Sequence, residues 1–230
     1  MDPPYTHIEA QYSHELLVFL FLIVPSMGIS FFLVHRGEMG FVLVAIATIF
    51  RDLALVGLVA FFLWRNSEQA GRIGWRFENH WRDALLGAVL FSPVSSAIGL
   101  LERSLYRIGL SQPSTPLPSF LSAHGLPEVV LATVLVTVVA ISEETIFRGY
   151  LILGLSAVTH STVAAVLVSS SSVIFALGHG YEGSASAVSV GVMALSLQSS
   201  ISRRRLLGPM VMHFLQDFIG IALTPLLHRR

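Results

Sequence analysis

The sequence alternates between long apolar runs and short polar segments. Apolar runs of about 17 residues or more are typical of membrane-spanning helices. Candidate spans lie at about residues 14–34, 41–64, 84–101, from 127 onward, 161–177, 184–198 and 206–227. The fourth ends around residues 143–148 or continues to residue 155, and Pro93 is expected to interrupt the third. The pattern predicts an all-α fold, a polytopic transmembrane helical bundle of about seven spans (six to eight).

Composition supports a membrane protein over a soluble one. Hydrophobic residues make up 53% of the chain and charged residues 12%, and the mean hydropathy is +0.72. Charged residues make up about 25% of a typical soluble domain. The chain begins with Asp2, Glu9 and Glu15 and no Lys or Arg up to that point, so the first apolar run is a retained span rather than a signal peptide. We therefore expect an integral multi-pass protein of the plasma (inner) membrane, with one transmembrane domain over residues 1–230.

Charge and cysteine content exclude several classes of function. All basic residues are Arg, and they balance the acids at a formal net charge of zero, so no basic face for nucleic acid is expected. The chain has no cysteine, which excludes a catalytic thiol, disulfide bonds and cysteine-based zinc sites. The lipid bilayer is the partner that composition indicates.

The sequence Glu143-Glu144-x-x-x-Arg148 ends an otherwise apolar run. Each ionised side chain in a spanning helix costs about 2.5–3.5 kcal/mol unless it is paired or hydrated. Glu144 and Arg148 are four residues apart and can neutralise each other, whereas Glu143 points about 100° away on an α-helix. A carboxylate outside that pair can serve as a general base. The alternative is a structural ion cluster where the span meets water.

Two further motifs place histidines on other predicted spans. Phe175-x-x-x-His179 ends the fifth span, and His213-x-x-x-Asp217 lies within the seventh. Each spacing puts both side chains on one helical face. His179 alone could serve as a partner of its helix dipole, and His213 with Asp217 could be a buried packing pair. A bundle that brings Glu143, His179 and His213 together would hold water beside a base and imidazole donors, an arrangement suited to peptide hydrolysis.

These three motifs, in this order on the terminal helices, resemble those of the CAAX-processing and bacteriocin-processing (CPBP) membrane endopeptidases, which include the Ras-converting enzyme type of CAAX protease. The segments 73–76 (Ile-Gly-Trp-Arg) and 208–210 (Gly-Pro-Met) also resemble sequences found in this family. The resemblance covers about residues 71–218. It implies an intramembrane glutamate-dependent endopeptidase that cuts near the carboxyl terminus of a membrane-associated protein or peptide, prenylated or not.

The resemblance also implies a role for each motif residue. Glu143 and His179 would activate the attacking water, and His213 with the residue four later would stabilise the oxyanion. Glu144, Arg148 and Phe175 would support them. A common form of the pattern has Asn where this chain has Asp217, and Asp donates a hydrogen bond only when protonated. We therefore expect Asp217 to accept from His213 and to fix its tautomer.

Other interpretations stay open at this stage. A rhomboid-like serine protease would use Ser156, which is expected to follow a helix end, with His213 or His160 as base. A metal-dependent protease would bind zinc through Glu and two His, but no His-Glu-x-x-His motif favours it, and no cofactor is expected. A non-catalytic immunity or scaffold protein would keep the polar cluster for structure.

One charged pair falls in the middle of the second predicted span. Arg51 and Asp52 are adjacent, and adjacent residues do not face each other on a helix. Each is therefore expected either to find a partner elsewhere or to lie on a water-lined wall, and a structural tie between helices is the favoured interpretation.

Overall fold

The computed structural model describes residues 11–25, 40–111, 123–165, 184–200 and 205–224, with side chains described outside residues 194–200. Within these ranges the chain is helical and contains no strand. We name the elements α1 (Gln11–Pro25), α2 (Phe41–Arg65), α3 (His80–Arg107), α4 (Leu126–Glu143), π1 (Glu144–Tyr150), α5 (Leu151–Thr159), α6 (Ser184–Ser200), α7 (Leu207–Asp217) and π2 (Phe218–Leu223). The predicted all-α fold is confirmed.

Three helical stretches are long and apolar enough to cross a membrane. They are α2, α3 and the continuous run Leu126–Thr159, and shorter apolar helices cover Gln11–Pro25, Ser184–Met193 and Leu207–Leu223. Large apolar side chains such as Phe50 and Leu100 are exposed on these helices, as a lipid environment permits. This is the predicted helical membrane bundle. The number of spans stays a prediction, because most of the fifth expected span, residues 166–177, lies outside the described residues.

The predicted interruption of the third span at Pro93 is wrong. The helix α3 runs unbroken from His80 to Arg107 with Pro93 inside it. Proline removes one backbone hydrogen bond, and membrane helices accept that loss when neighbouring groups satisfy the freed carbonyl.

The fourth span takes the longer of its two predicted forms and exceeds it. The chain begins α4 after Gly125 (φ +90°), with Pro127 in the first turn and the Glu128 carboxylate accepting the His124 backbone N–H at 2.5 Å. It then continues without a break to Thr159, but as a π-helix over Glu144–Tyr150. Short π-helical segments are rare and frequently occur at functional sites.

Apolar clusters set how α2 lies against the fourth span. Ile49 of α2 and Val139 of α4 belong to one cluster, and Leu55 of α2 and Ile146 of π1 belong to another. Because both segments advance in sequence from the first cluster to the second, α2 and α4 run parallel and in register. This register decides which polar residues of the two helices share a level.

Candidate active site

The acidic motif lies at the junction of α4 and π1. Arg148 forms an ion pair with Glu144 Oε1, as the spacing predicts, and both side chains are buried. Glu143 is one residue earlier and its side chain is 18% exposed. The two carboxylates therefore differ, because one is neutralised by its own helix and the other faces outward from that pair.

His213 of α7 lies between three carboxylates. Its Nδ1 is 3.0 Å from Glu144 Oε1, and its Nε2 is 3.6 Å from Glu143 Oε2 and 3.3 Å from Asp217 Oδ2. The imidazole thus joins α7 to both glutamates of the fourth span. The expected meeting of Glu143 and His213 is present, while the contact between Glu144 and His213 is one that the sequence reasoning missed.

The contacts of His213 constrain its hydrogen bonding. A neutral imidazole has one N–H, which can be donated either from Nδ1 to Glu144 or from Nε2 to Asp217. Both ring nitrogens can donate only when His213 is an imidazolium, and Nε2 then faces Glu143 and Asp217. Glu144 therefore faces Nδ1, and Asp217 faces the opposite nitrogen. The expectation that Asp217 accepts from His213 and fixes its tautomer stays a prediction.

Close backbone packing holds α7 where His213 can reach the glutamates. A Cβ on Gly87 of α3 would lie 2.5 Å from the carbonyl oxygen of Gly208, so the two helices touch through their glycines. The backbone N–H of Leu206 donates to the carbonyl of Gly74 at 3.1 Å. These contacts fix the start of α7 only a few residues before His213.

The segment around Trp75 supports π1 from the other side. The Trp75 indole N–H donates to Thr145 Oγ1 at 3.0 Å. A Cβ on Gly149 would lie 2.8 Å from the carbonyl oxygen of Ile73, so a side chain at that position would push this segment away. Segments 73–76 and 208–210 therefore position the acidic motif and His213. These are the two additional segments for which the sequence showed a resemblance.

Several polar atoms of the site are left open. Within the described part of the chain, no hydrogen bond reaches the buried atoms Glu143 Oε2, Glu144 Oε2 and Arg148 Nε. Buried polar atoms are normally hydrogen-bonded to protein or water. Glu143 Oε2 thus keeps an unused acceptor position, beside the partly exposed side chains of His213 and Asp217.

The structure contradicts the expectation for Arg51 and Asp52. Arg51 Nε donates to Asp52 Oδ1 at 2.8 Å, and Nη2 lies 2.8 Å from the same oxygen, because the long arginine side chain reaches back across the helix. Asp52 also interacts electrostatically with Glu143 and His213. The sequence held a signal for this, since Asp52 shares one helical face with the buried residues Ala45, Leu55, Val59 and Phe62 of α2.

Other predicted site residues are not brought to the cluster. Phe175 and His179 lie outside the described residues. Ser156 lies inside α5, so the expectation that it follows a helix end is wrong. Among the residues that the structure does describe, no group of three or more His, Asp or Glu side chains is arranged to hold a metal ion.

Comparison with known proteins finds a family match for part of the chain. Residues 125–219 match the family model described as Rce1-like, type II CAAX prenyl endopeptidase, whereas no curated protein and no solved structure was found to match. The matched stretch begins at the glycine before α4 and ends two residues after Asp217, so it contains all three motifs. Residues 125–219 are therefore similar to the Rce1-like family of type II CAAX prenyl endopeptidases, a family of membrane proteases, and this match supports the resemblance of the three motifs.

Proposed function

We propose that this chain is an intramembrane glutamate-dependent endopeptidase. It hydrolyses a peptide bond near the carboxyl terminus of a membrane-associated protein or peptide, prenylated or not. One observation carries the proposal: Glu143 and His213, from two separate helices, meet at 3.6 Å around a carboxylate oxygen that no described hydrogen bond reaches. The match to the Rce1-like family supports the same reaction class.

In this mechanism Glu143 is the general base. Its open Oε2 binds a water and takes one proton from it, and the water oxygen attacks the carbonyl carbon of the scissile peptide bond. The carbonyl π-electrons move to the oxygen, forming a tetrahedral oxyanion. Glu143 then returns the proton to the leaving nitrogen as the C–N bond breaks, which yields a carboxylic acid and an amine.

The positive groups beside Glu143 stabilise the oxyanion. His213 in its imidazolium form directs Nε2–H toward the region between Glu143 and Asp217. Arg148 adds a positive charge one contact away, through Glu144. Asp217 holds the imidazole in place and does not need to donate. His179 stays a predicted partner of Glu143 in activating the water.

The open hydrogen bonds argue against a purely structural cluster. Burying ionised groups without full pairing is costly, so a cluster that served packing alone would be expected to satisfy its carboxylate oxygens. The non-catalytic scaffold interpretation assigns no role to Glu143 Oε2, which no hydrogen bond from the described residues reaches. The endopeptidase proposal explains Glu143 Oε2 as the atom that binds water.

A cleavage assay tests the proposal. Wild-type, Glu143→Gln and Ser156→Ala proteins are reconstituted in liposomes with a farnesylated peptide that ends in a CAAX sequence, and with its unprenylated twin. Fragments are identified by mass spectrometry. We expect cleavage near the carboxyl terminus by wild type and Ser156→Ala and none by Glu143→Gln.

Three results would point elsewhere. Cleavage that persists in Glu143→Gln rules out Glu143 as the base. Cleavage that stops with a chelator and returns with zinc supports the metal-dependent alternative. If wild type cuts neither peptide, membrane proteomes compared with and without the chain identify the substrate, and proteomes without any accumulated precursor support the scaffold interpretation.

A further inference from the structure

Asp52 of α2 lies at the level of the acidic motif. On α2 it is midway between Ile49, which packs against the same apolar cluster as Val139 of the fourth span, and Leu55, which shares a cluster with Ile146 of that span. On that span Glu143 lies between Val139 and Ile146. Because the two segments run parallel and in register, Asp52 and Glu143 occupy the same level of the bundle.

The contacts of Asp52 leave one oxygen open. The residue is 3% exposed, and Arg51 takes Oδ1 with two nitrogens, each 2.8 Å away. No hydrogen bond from the described residues reaches Oδ2, which is the same condition as that of Glu143 Oε2. At this level of the bundle, the negative charge of an ionised Asp52 would repel the carboxylate of Glu143 and attract the imidazolium of His213, which contacts Glu143.

The ion pair of Asp52 does not tie helices together. Its partner is the adjacent residue of the same helix, so breaking the pair frees no other element. Asp83 of α3 gives the contrast: it is also buried, and Arg205, just before α7, donates to it at 3.0 Å across two elements. A buried ion pair that joins no elements adds desolvation cost without helping assembly. The charge of Asp52 therefore acts on the neighbouring charged side chains and not on the association of helices.

We infer that Asp52 is a positioning residue of the active site proposed above, acting through its negative charge on Glu143 and His213. Within the described ranges, the charged groups of this region are Arg51 of α2, Glu143, Glu144 and Arg148 of the fourth span, and His213 and Asp217 of α7. Asp52 adds a carboxylate that makes no hydrogen bond to either reacting residue. The inference rests on the proposed function.

Two variants of Asp52 separate the effect of its charge from the effect of its shape. Asp52→Asn keeps the shape and an acceptor for Arg51 but removes the charge, and Asp52→Glu keeps the charge. We expect Asp52→Asn to lower kcat about ten- to a hundredfold with KM unchanged, because a charge acts over several ångströms in a low dielectric. Its thermal unfolding temperature stays at or above that of wild type, and Asp52→Glu recovers most of kcat.

Asp83→Asn is the matched control, with the same chemical change at another buried Asp–Arg pair. It is expected to lower the unfolding temperature and to leave kcat per folded molecule close to wild type, because the Gly87–Gly208 contact still holds α7 against α3. All kinetics use the cleaved peptide of the liposome assay.

Distinct outcomes separate this inference from the proposed function. An Asp52→Asn protein with full kcat overturns the inference, and so does one that fails to fold or unfolds early like Asp83→Asn. Equal losses in Asp52→Asn and Asp52→Glu show that shape matters rather than charge, which also overturns it. If Glu143→Gln still cleaves, the proposed function itself fails. An inactive Glu143→Gln with a fully active Asp52→Asn rejects only the role of Asp52.

Discussion

Two glutamates of this protein, one buried and one partly exposed, are surrounded in opposite ways. Glu15 of α1 is 2% exposed, and both of its oxygens are used: Asn66 Nδ2 donates to each at 3.0 Å, Tyr150 donates to Oε2 at 2.9 Å, and Arg65 lies 3.0 Å from Oε1. Glu143 has His213 at 3.6 Å and an oxygen that no described hydrogen bond reaches.

This difference distinguishes a structural carboxylate, Glu15, from the proposed catalytic carboxylate, Glu143. The donors of Glu15 come from the end of α2 and from π1, so its carboxylate ties three elements together. A carboxylate with every acceptor site used has nothing left to offer a substrate. The open oxygen of Glu143 is available for a proton or a water, and the cost of leaving it open is explained by the reaction that we propose.

The largest effect is expected at Glu143. Glu143→Gln removes the base while keeping the size of the side chain, so cleavage should fall by about 10²–10⁴-fold. The unfolding temperature should stay the same or rise, because an incompletely paired carboxylate disappears. Peptide cleavage and thermal unfolding are measured on the same preparation. Early unfolding of Glu143→Gln would place Glu143 in the same class as Glu15.

The second effect concerns the glycine contact between α3 and α7. Gly87→Ala adds a Cβ 2.5 Å from the carbonyl oxygen of Gly208, so α7 must move and carry His213 away from Glu143. A displacement of about 1 Å can cost about 10²-fold in rate. Gly99→Ala on the same helix is the control, since a Cβ there meets no atom within 4 Å. Equal activity of the two variants would contradict the contact.

The third effect is expected at Glu15, where stability should fall while the cleavage rate stays the same. Glu15→Gln leaves Arg65 and other donors with a poorer acceptor, so the free energy of unfolding should fall by about 1–3 kcal/mol. Cleavage per folded molecule should not change, because no substrate contact is lost. Tyr150→Phe removes one of the donors to Glu15 and should cost less than Glu15→Gln. Denaturation curves and rates normalised to the folded fraction check both. If Glu15→Gln cleaved more slowly while its stability stayed the same, Glu15 and Glu143 would not differ in role.

The smallest effect is expected at Asp217. Asp217→Asn introduces the residue common in the family, and an amide can both accept from and donate to its neighbours. We expect the rate to change by no more than about fivefold, which corresponds to one ordinary hydrogen bond. Asp217→Ala removes the contact with His213 and should cost more. A total loss of cleavage in Asp217→Asn would mean that the negative charge itself is required.

Features within a single helix could be predicted from the sequence. The apolar run at 41–64 becomes the helix Phe41–Arg65, and the spacing of Glu144 and Arg148 gives their ion pair. Such features depend on helical periodicity, which the sequence carries directly. The break expected at Pro93 fails because bundle packing overrides the local preference.

Features that depend on the register between helices could not be predicted. Glu144 contacts His213, and Asp52 lies at the level of Glu143, because of the axial alignment of α2, α4 and α7. Glycine contacts and apolar clusters set that register, and no spacing within one helix reports it. The π-helix at Glu144–Tyr150 was missed for a related reason, since the apolar pattern does not distinguish it from an α-helix.

The kinetics of paired variants test the account most directly. Rates of peptide cleavage are measured for Glu143→Gln, for His213→Asn and for the double variant, each with its folded fraction. If Glu143 and His213 act on the same water and oxyanion, the double variant should be about as slow as the slower single variant. Losses that multiply in the double variant would show that the two residues act independently, and would contradict a shared active site.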